Sequence, residues 1–286
     1  MNIISVDVGG TKISATKIDI DPQTQAVKKA SLKQVLHIPT KAKGNKKEVL
    51  EQITQLIDTL INKQSIAITA GVPSILDRHN KKILKTTNIP SLKNISLSSY
   101  LHKKYKVAVY LENDANCFAL AQKHFGKAKK YKHSVNITIG TGLGAGIILN
   151  NKLYPGHHHE AGEFGQIPYK DKTIEEYVSG KFFKNKYDKS AKEIHELAKK
   201  ENVFAKKAYK EFSKHLAELL FAIQETYDPQ IIVLGGSISL AKKYIQPTLK
   251  KEVKKRKQER NTIKYVFAST KNDVLLGATT LLKKDI

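Results

Sequence analysis

Ile3-Ile-Ser-Val-Asp-Val-Gly-Gly-Thr-Lys-Ile-Ser-Ala-Thr-Lys-Ile18 decides how the rest of this chain is read. Ile4, Val6 and Val8 alternate into Gly9-Gly10, and Ile13, Ala15 and Ile18 lead away again. Period-two alternation marks strands, and glycine supplies the backbone freedom of a tight turn between them. The second half repeats this opening. Val135, Ile137 and Ile139 alternate into Gly140-Thr141-Gly142, and Ile147-Ile148-Leu149 runs to a turn at Asn150-Asn151. Outward from the first hairpin, Val49, Leu50, Ile53, Leu56, Ile57, Leu60 and Ile61 have helical spacing over 46–62. A buried strand over 66–70 ends at Gly71-Val72-Pro73, followed by a polar loop. A strand over 107–111 stops at Glu112-Asn113-Asp114, with a short helix over 115–125. Outward from the second hairpin, the pattern predicts a helix over 204–227, a stop at Asp228-Pro229, a strand over 231–234 meeting Gly235-Gly236, and a terminal helix over 274–282. Two halves built alike predict an α/β chain of two related lobes with a cleft between them. The expected division is a small lobe over 1–110, with the terminal helix 273–286 packed back on it, and a larger lobe over 111–272.

Composition narrows the class. The 286 residues can bury a substantial core, and no apolar stretch reaches the roughly 18 residues of a membrane span. The N-terminus carries no basic and apolar leader pattern, so a cytoplasmic protein without membrane contact is expected. One cysteine, Cys117, excludes a disulfide framework and any cysteine-cluster zinc site within one chain. The net charge of +24 would suit a polyanion, but Arg78, Arg256 and Arg260 are the only arginines among 50 basic residues. Lysine serves solvated surfaces, whereas arginine's planar fork reads phosphates and bases. No specific nucleic-acid partner is therefore expected.

Chemistry concentrates in three places. Asp7-Val-Gly-Gly-Thr-Lys12 and Gly140-Thr-Gly-Leu-Gly-Ala-Gly146 are glycine-rich turns whose backbone N–H groups can approach phosphate oxygens. Neither is a Walker loop, and the Gly140, Gly142, Ala145 match to the dinucleotide fingerprint precedes strand rather than helix. Glu112-Asn113-Asp114 ends a strand where a helix begins. Asp114 there suits a general base held on rigid elements, or simply caps the helix.

Taken together, these strings resemble the ROK family of sugar kinases and regulators within the actin-like ATPase superfamily. Asp7–Lys12 resembles the first phosphate motif, Asn113-Asp-Ala-Asn116 the catalytic string, and Thr138-Ile-Gly-Thr-Gly-Leu-Gly144 the second phosphate motif. Ala161-Gly-Glu-Phe-Gly165 resembles the family signature, Ile174-Glu-Glu-Tyr-Val-Ser-Gly180 its Leu-Glu-x-x-x-Ser-Gly segment, and Asp228–Gly236 its adenosine segment. The resemblance implies the two-lobed actin-like ATPase (ribonuclease H-like) fold with a central cleft, and ATP-dependent phosphorylation of a hexose, glucose first. It implies Asp114 as catalytic base and Asn113, Glu163, Gln166 and Glu175 as sugar ligands. For the nucleotide it implies Asp7, Gly9, Gly10, Thr11, Lys12, Gly140, Thr141, Gly142, Gly235 and Gly236, with Mg²⁺ organised by Asp7 through water. A homodimer is implied too.

The family pattern breaks after Gly-Glu-x-Gly. Most members have a zinc-ligating histidine where this chain has Gln166, then a cysteine cluster that is missing, so no structural zinc is expected. Pro73-Ser74 departs from the usual Pro-Gly, and Asn88 is a further candidate sugar contact. His157-His158-His159 reads as a loop without metal. Two rivals remain: a polyphosphate-dependent glucokinase of the same fold, and a sugar-sensing regulator. Asn116 and the retained Gly235-Gly236 weigh against the first. The second would need a helix-turn-helix domain before Asp7.

Overall fold

The computed structural model describes residues 1–21, 24, 27, 32, 34–77, 82–86, 88–256, 263–268 and 272–282. These form two compact units: the described residues of Met1–Phe125, Pro155–Ala161 and Lys271–Ile286, and those of Gly126–Tyr154 and Gly162–Thr270.

The first unit opens with the antiparallel meander β1 (Asn2–Val8), β2 (Lys12–Asp19) and β3 (Val35–Pro39). Helix α1 (Lys46–Leu60) follows, then β4 (Ser65–Val72), the hairpin β5 (Ser74–Asp77) and β6 (Lys82–Thr86), α2 (Leu97–Tyr105), β7 (Ala108–Asn113) and α3 (Asp114–Phe125). The sheet order is β3-β2-β1-β4-β7, with β1, β4 and β7 parallel. Helix α1 starts at a capping box in which Asn45 and Glu48 satisfy each other's backbone N–H groups. Its stripe of Val49, Leu50, Ile53, Leu56, Ile57 and Leu60 is buried with Ile4, Val6, Val8 and Ile13 of the first hairpin. Each such side chain contributes roughly 1.5–3 kcal/mol when fully buried.

The second unit repeats the plan. β8 (Ser134–Ile139), β9 (Leu143–Leu149) and β10 (Lys152–Tyr154) form the meander. The two-residue strands β11 (Pro168–Tyr169) and β12 (Lys172–Thr173) follow, then α4 (Ile174–Tyr177), α5 (Gly180–Tyr187), α6 (Ala191–Lys199), α7 (Val203–Tyr227), β13 (Ile231–Gly235), α8 (Lys242–Lys255) and β14 (Tyr265–Phe267). The sheet order β10-β9-β8-β13-β14 has the topology of the first: a meander, then two parallel strands beside its first member. Asp7 and Thr138 thus hold corresponding places, each two residues before the glycine that opens its turn.

The expected polar loop after Pro73 contains the β5–β6 hairpin and α2 instead. Only Leu97 and Leu101 of α2 are buried, one turn apart, which is too short a stripe to show as helical periodicity. Tyr105 at its end reaches back to α1, its hydroxyl 2.7 Å from the Asp58 carboxylate. The strand expected over 107–111 runs on to Asn113, because β7 stays paired with β4 as far as Val72↔Asn113. Asp114 is consequently the first residue of α3.

The first unit carries on past residue 110 to Phe125 because α3 packs with β4, β7 and α9 (Asp273–Ala278). A 3₁₀ turn, Thr279–Leu282, follows α9; the rest of the expected terminal helix lies outside the described residues. The Ser5 hydroxyl donates to the Leu275 carbonyl at 2.7 Å, tying α9 to β1. Gly277 lets α9 lie directly on α3, since a Cβ there would overlap the Cys117 carbonyl oxygen. Backbone cannot yield as a flexible side chain can, so Gly277→Ala is expected to cost about 2–3 kcal/mol in urea denaturation. An unchanged midpoint would show that α9 is not held there.

Candidate active site

One turn and one strand end carry the site in the first unit. Gly9, Gly10 and Thr11 link β1 to β2, closed by the Gly9 N–H donating to the Lys12 carbonyl at 3.0 Å. Thr40 braces the turn from outside: its hydroxyl donates to the Gly9 carbonyl at 2.7 Å and its N–H to the Thr11 carbonyl at 3.0 Å. Thr11 and Lys12 are exposed. Gly10 faces Asn88, where an added Cβ would come within 2.7 Å of the asparagine's own Cβ.

At the end of β7, buried Glu112 accepts from the Asn113 N–H at 2.9 Å and from the Asn116 side-chain amide at 3.1 Å. The Asn113 side-chain oxygen accepts from the Ala115 and Asn116 N–H groups, at 2.9 and 3.1 Å, and its amide donates to the Ser74 carbonyl at 3.2 Å. Asn113 therefore caps α3, satisfying amides that a helix start leaves orphaned. Asp114 is relieved of that duty, and its Oδ1 shares the Ala115 N–H at 2.9 Å. Burial pushes the Asp114 carboxyl above its ordinary range, and the backbone N–H groups only partly oppose this. Asp7 is pushed up to about 7 by burial first, then by the Asp114 charge, with Lys12 opposing. The two carboxylates feel each other, as expected of groups sharing a small volume.

The second unit gathers the other candidates. Gly140, Thr141 and Gly142 link β8 to β9. The Gly180 N–H, at the start of α5, donates to the Gly140 carbonyl at 2.8 Å. The Leu143 N–H donates to Glu175 Oε2 at 2.8 Å, and the Lys181 ammonium lies 2.7 Å from Glu175 Oε1 and 3.0 Å from Glu176 Oε1. Glu175 thus braces the glycine turn from α4, with two carboxylate lone pairs still open for a ligand. Gly235 ends β13 beside the same turn, and Gly236 follows it. Gly236 has φ +78°, and a Cβ on it would lie 2.5 Å from the Ile139 carbonyl, so glycine is required there. Glu163 and Gln166 are exposed on the 3₁₀ turn Phe164–Gln166 and its flank, and Gly165 between them packs on Glu175.

A family model described as the ROK family matches residues 3–285. The chain belongs to the ROK family. Among curated relatives, the glucokinase of Thermotoga maritima is 25% identical over 284 residues, covering 88% of this chain and 87% of its own length. The xylose repressor of Bacillus spizizenii is 29% identical over 271 residues, covering 88% of this chain and 68% of its own length. The crystal structure of a ROK family glucokinase from Streptomyces griseus, in complex with glucose and AMPPNP, superposes with a TM-score of 0.83. It is 22% identical, with 98% of this chain and 99% of that one covered. The fold is that of the ROK sugar kinases, the actin-like ATPase fold.

In ROK terms, the first unit holds Asp7, Gly9–Lys12, Asn113 and Asp114 together, and the second holds Gly140–Gly142, Gly235–Gly236, Glu163, Gln166 and Glu175. Sequence reasoning missed Thr40 and Lys181, and quoted Glu112 only as the residue before Asn113-Asp114. Glu112 carried a signal, a carboxylate adjoining the Asn-Asp-Ala-Asn string in an otherwise apolar strand. Thr40 and Lys181 carried none, since their partners are defined only by the fold. His157 and His158 are exposed, their rings edge to face at 4.5 Å. Among the described residues, no group of three or more His, Cys, Asp or Glu is placed to hold a metal, and no helix is long and apolar enough to cross a membrane. Mg²⁺ bound with a nucleotide needs no such cage, because it commonly takes one or two carboxylates and completes its shell with water and phosphate. Asp7, whose ionisation is held back by burial first and then by the Asp114 charge, has the donor chemistry for that role.

Proposed function

We propose that this ROK protein is an ATP-dependent hexose kinase, with glucose as the first candidate substrate and Asp114 as general base. One observation carries the reading: Asn113 caps α3, leaving the half-buried Asp114 carboxylate for other work. A sugar sensor has no need of such a base. The family relatives named as glucokinases support the same reading.

In the proposed reaction, the primary hydroxyl oxygen of the hexose bonds to the γ-phosphorus as the bond from that phosphorus to the β,γ-bridging oxygen breaks. The hydroxyl proton passes to Asp114, and ADP leaves. Asn113, Glu163, Gln166 and Glu175 hold the remaining hydroxyls, a carboxylate being able to accept two neighbouring O–H groups. The turns at Gly9–Lys12 and Gly140–Gly142 offer N–H groups, hydroxyls and one ammonium to the phosphates, and Gly235-Gly236 flanks the adenosine. Asp7 would hold Mg²⁺ through water, and the ion supplies neutralisation of phosphate charge. Phosphoryl transfer asks a protein mainly for such positioning and charge stabilisation.

The test is ADP release from Mg-ATP across a panel of glucose, fructose, mannose and N-acetylated hexosamines, with sugar phosphate detection from polyphosphate in parallel. ADP release that depends on one sugar is expected. Sugar phosphate from polyphosphate alone would replace the donor in this proposal, and silence with both donors would end the kinase reading.

A further inference from the structure

The segment between Gln166 and Glu175 is short and poorly equipped to hold itself. It is a hairpin of two-residue strands, closed at its base by the Ile174 N–H donating to the Ile167 carbonyl at 2.9 Å. Isolated hairpins are marginal in water even with longer strands. At its tip Lys170 has φ +54°, a left-handed conformation that costs a lysine roughly 1 kcal/mol. Something outside the hairpin holds this geometry.

That support comes from aromatic side chains around one buried histidine on α7. The Tyr169 hydroxyl lies 3.0 Å from His215 Nδ1. The rings of Tyr169, Tyr177 and Phe182 pack around the imidazole, with centroids at 5.7, 4.9 and 5.5 Å. Tyr177 also hydrogen-bonds Asp171 at the hairpin tip, and the Lys170 ammonium sits 5.6 and 5.3 Å from the Tyr169 and Tyr177 ring centroids. His215 is 6% exposed, and burial, with Lys170 and Lys186 adding and Glu211 opposing, pushes it down to about 4. It is therefore neutral at ordinary pH. Its Nδ1 and the Tyr169 hydroxyl share one hydrogen bond, in the direction the ring tautomer sets.

We propose that Tyr169 and His215 form a clamp that positions the sugar-binding segment, fixing the separation of Gln166 and Glu175. The two residues lie at opposite ends of the clamped hairpin, and Gly165, beside Gln166, faces Glu175 so closely that an added Cβ would lie 3.3 Å from the Glu175 Cβ. Movement at Tyr169 is thus carried to both ends. A residue present only to fill this space could be aliphatic, whereas an imidazole buried here needs a partner such as the Tyr169 hydroxyl for its Nδ1. Tyr169 and His215 are positioning residues that touch no substrate themselves, and the inference rests on the hexose-kinase reading for what the segment binds.

Tyr169→Phe is the deciding variant, because it keeps the ring packing and removes one oxygen. Losing a hydrogen bond of ordinary net worth should raise the sugar KM roughly three- to tenfold, with kcat and the ATP KM changed less than twofold. Hydrogen exchange of amides 168–173 should quicken while α7 keeps its protection. His215→Phe should match it, and the double variant should be little worse than either single one. An unchanged sugar KM with unchanged exchange overturns the clamp, as does an equal rise in both KM values. If the unsubstituted protein phosphorylates no sugar, the kinase reading falls. Exchange at 168–173 then decides the clamp alone: faster in Tyr169→Phe supports it, unchanged overturns it.

Discussion

Asp114→Asn is expected to lower sugar-dependent ADP release by roughly two to four orders of magnitude, the usual contribution of a general base. The substitution keeps an oxygen where the Ala115 N–H donates, and α3 keeps its cap because Asn113 supplies it. The helix start should therefore survive, and the loss should fall on kcat, with sugar and nucleotide binding retained. Steady-state kinetics beside titration calorimetry for each ligand separate the two. Turnover within fivefold of the unsubstituted protein would remove Asp114 from the chemistry. Weakened binding of both ligands would instead give it a structural role. The raised pKa of Asp114 adds a second expectation: log kcat/KM should rise with pH on its acid side as this carboxyl ionises. A protonated Asp114 cannot accept the hydroxyl proton.

What could be read before folding, and what could not, divides along sequence distance. The turns at Gly9–Thr11 and Gly140–Gly142 stood out because glycines interrupt period-two alternation, a signal contained within about ten residues. Their correspondence goes further in three dimensions, since both units use one sheet topology and place Asp7 and Thr138 alike. Only the first unit puts a carboxylate there, so its turn is the one suited to a cation. In sequence Asp114 could be either the base or the cap of α3, because aspartate is as good a cap residue as the asparagine before it. Pairing of Val72 with Asn113 settles it by extending the strand one residue beyond Glu112. Tyr169 and His215, 46 residues apart, were invisible for a plainer reason: neither residue type is rare, and their meeting depends on how α7 crosses the hairpin. Glu175 shows the same limit in milder form. Its motif suggested a ligand-binding carboxylate, while its bond to the Leu143 N–H is a property of the folded second unit.

The Asp7 carboxyl should make the protein more stable in mild acid than in mild base, measured without Mg²⁺. Its pKa in the folded chain is pushed from 3.8 to about 7, chiefly by burial and then by Asp114. The folded state holds this proton more tightly than the unfolded state. The associated stability is complete below about pH 4, declines as pH rises, and is lost above about pH 7. A rise of this size corresponds to at most about 4 kcal/mol against the ionised form. Asp7→Asn removes the titration, so its urea-unfolding free energy should change little between pH 4 and 8 from this site, and should exceed that of the unsubstituted protein at pH 8. At pH 4 the two should nearly coincide, because a protonated aspartic acid and an asparagine are both neutral. Parallel pH curves would show that Asp7 is not held back from ionising. The same variant should lose sugar-dependent turnover, since the gain in stability comes from deleting the charge proposed to organise Mg²⁺. Added Mg²⁺ with a non-hydrolysable nucleotide should narrow the gap at pH 8 by stabilising the unsubstituted protein alone. Stability and activity would then move in opposite directions at one carboxylate, as expected where a buried charge is kept for its chemistry.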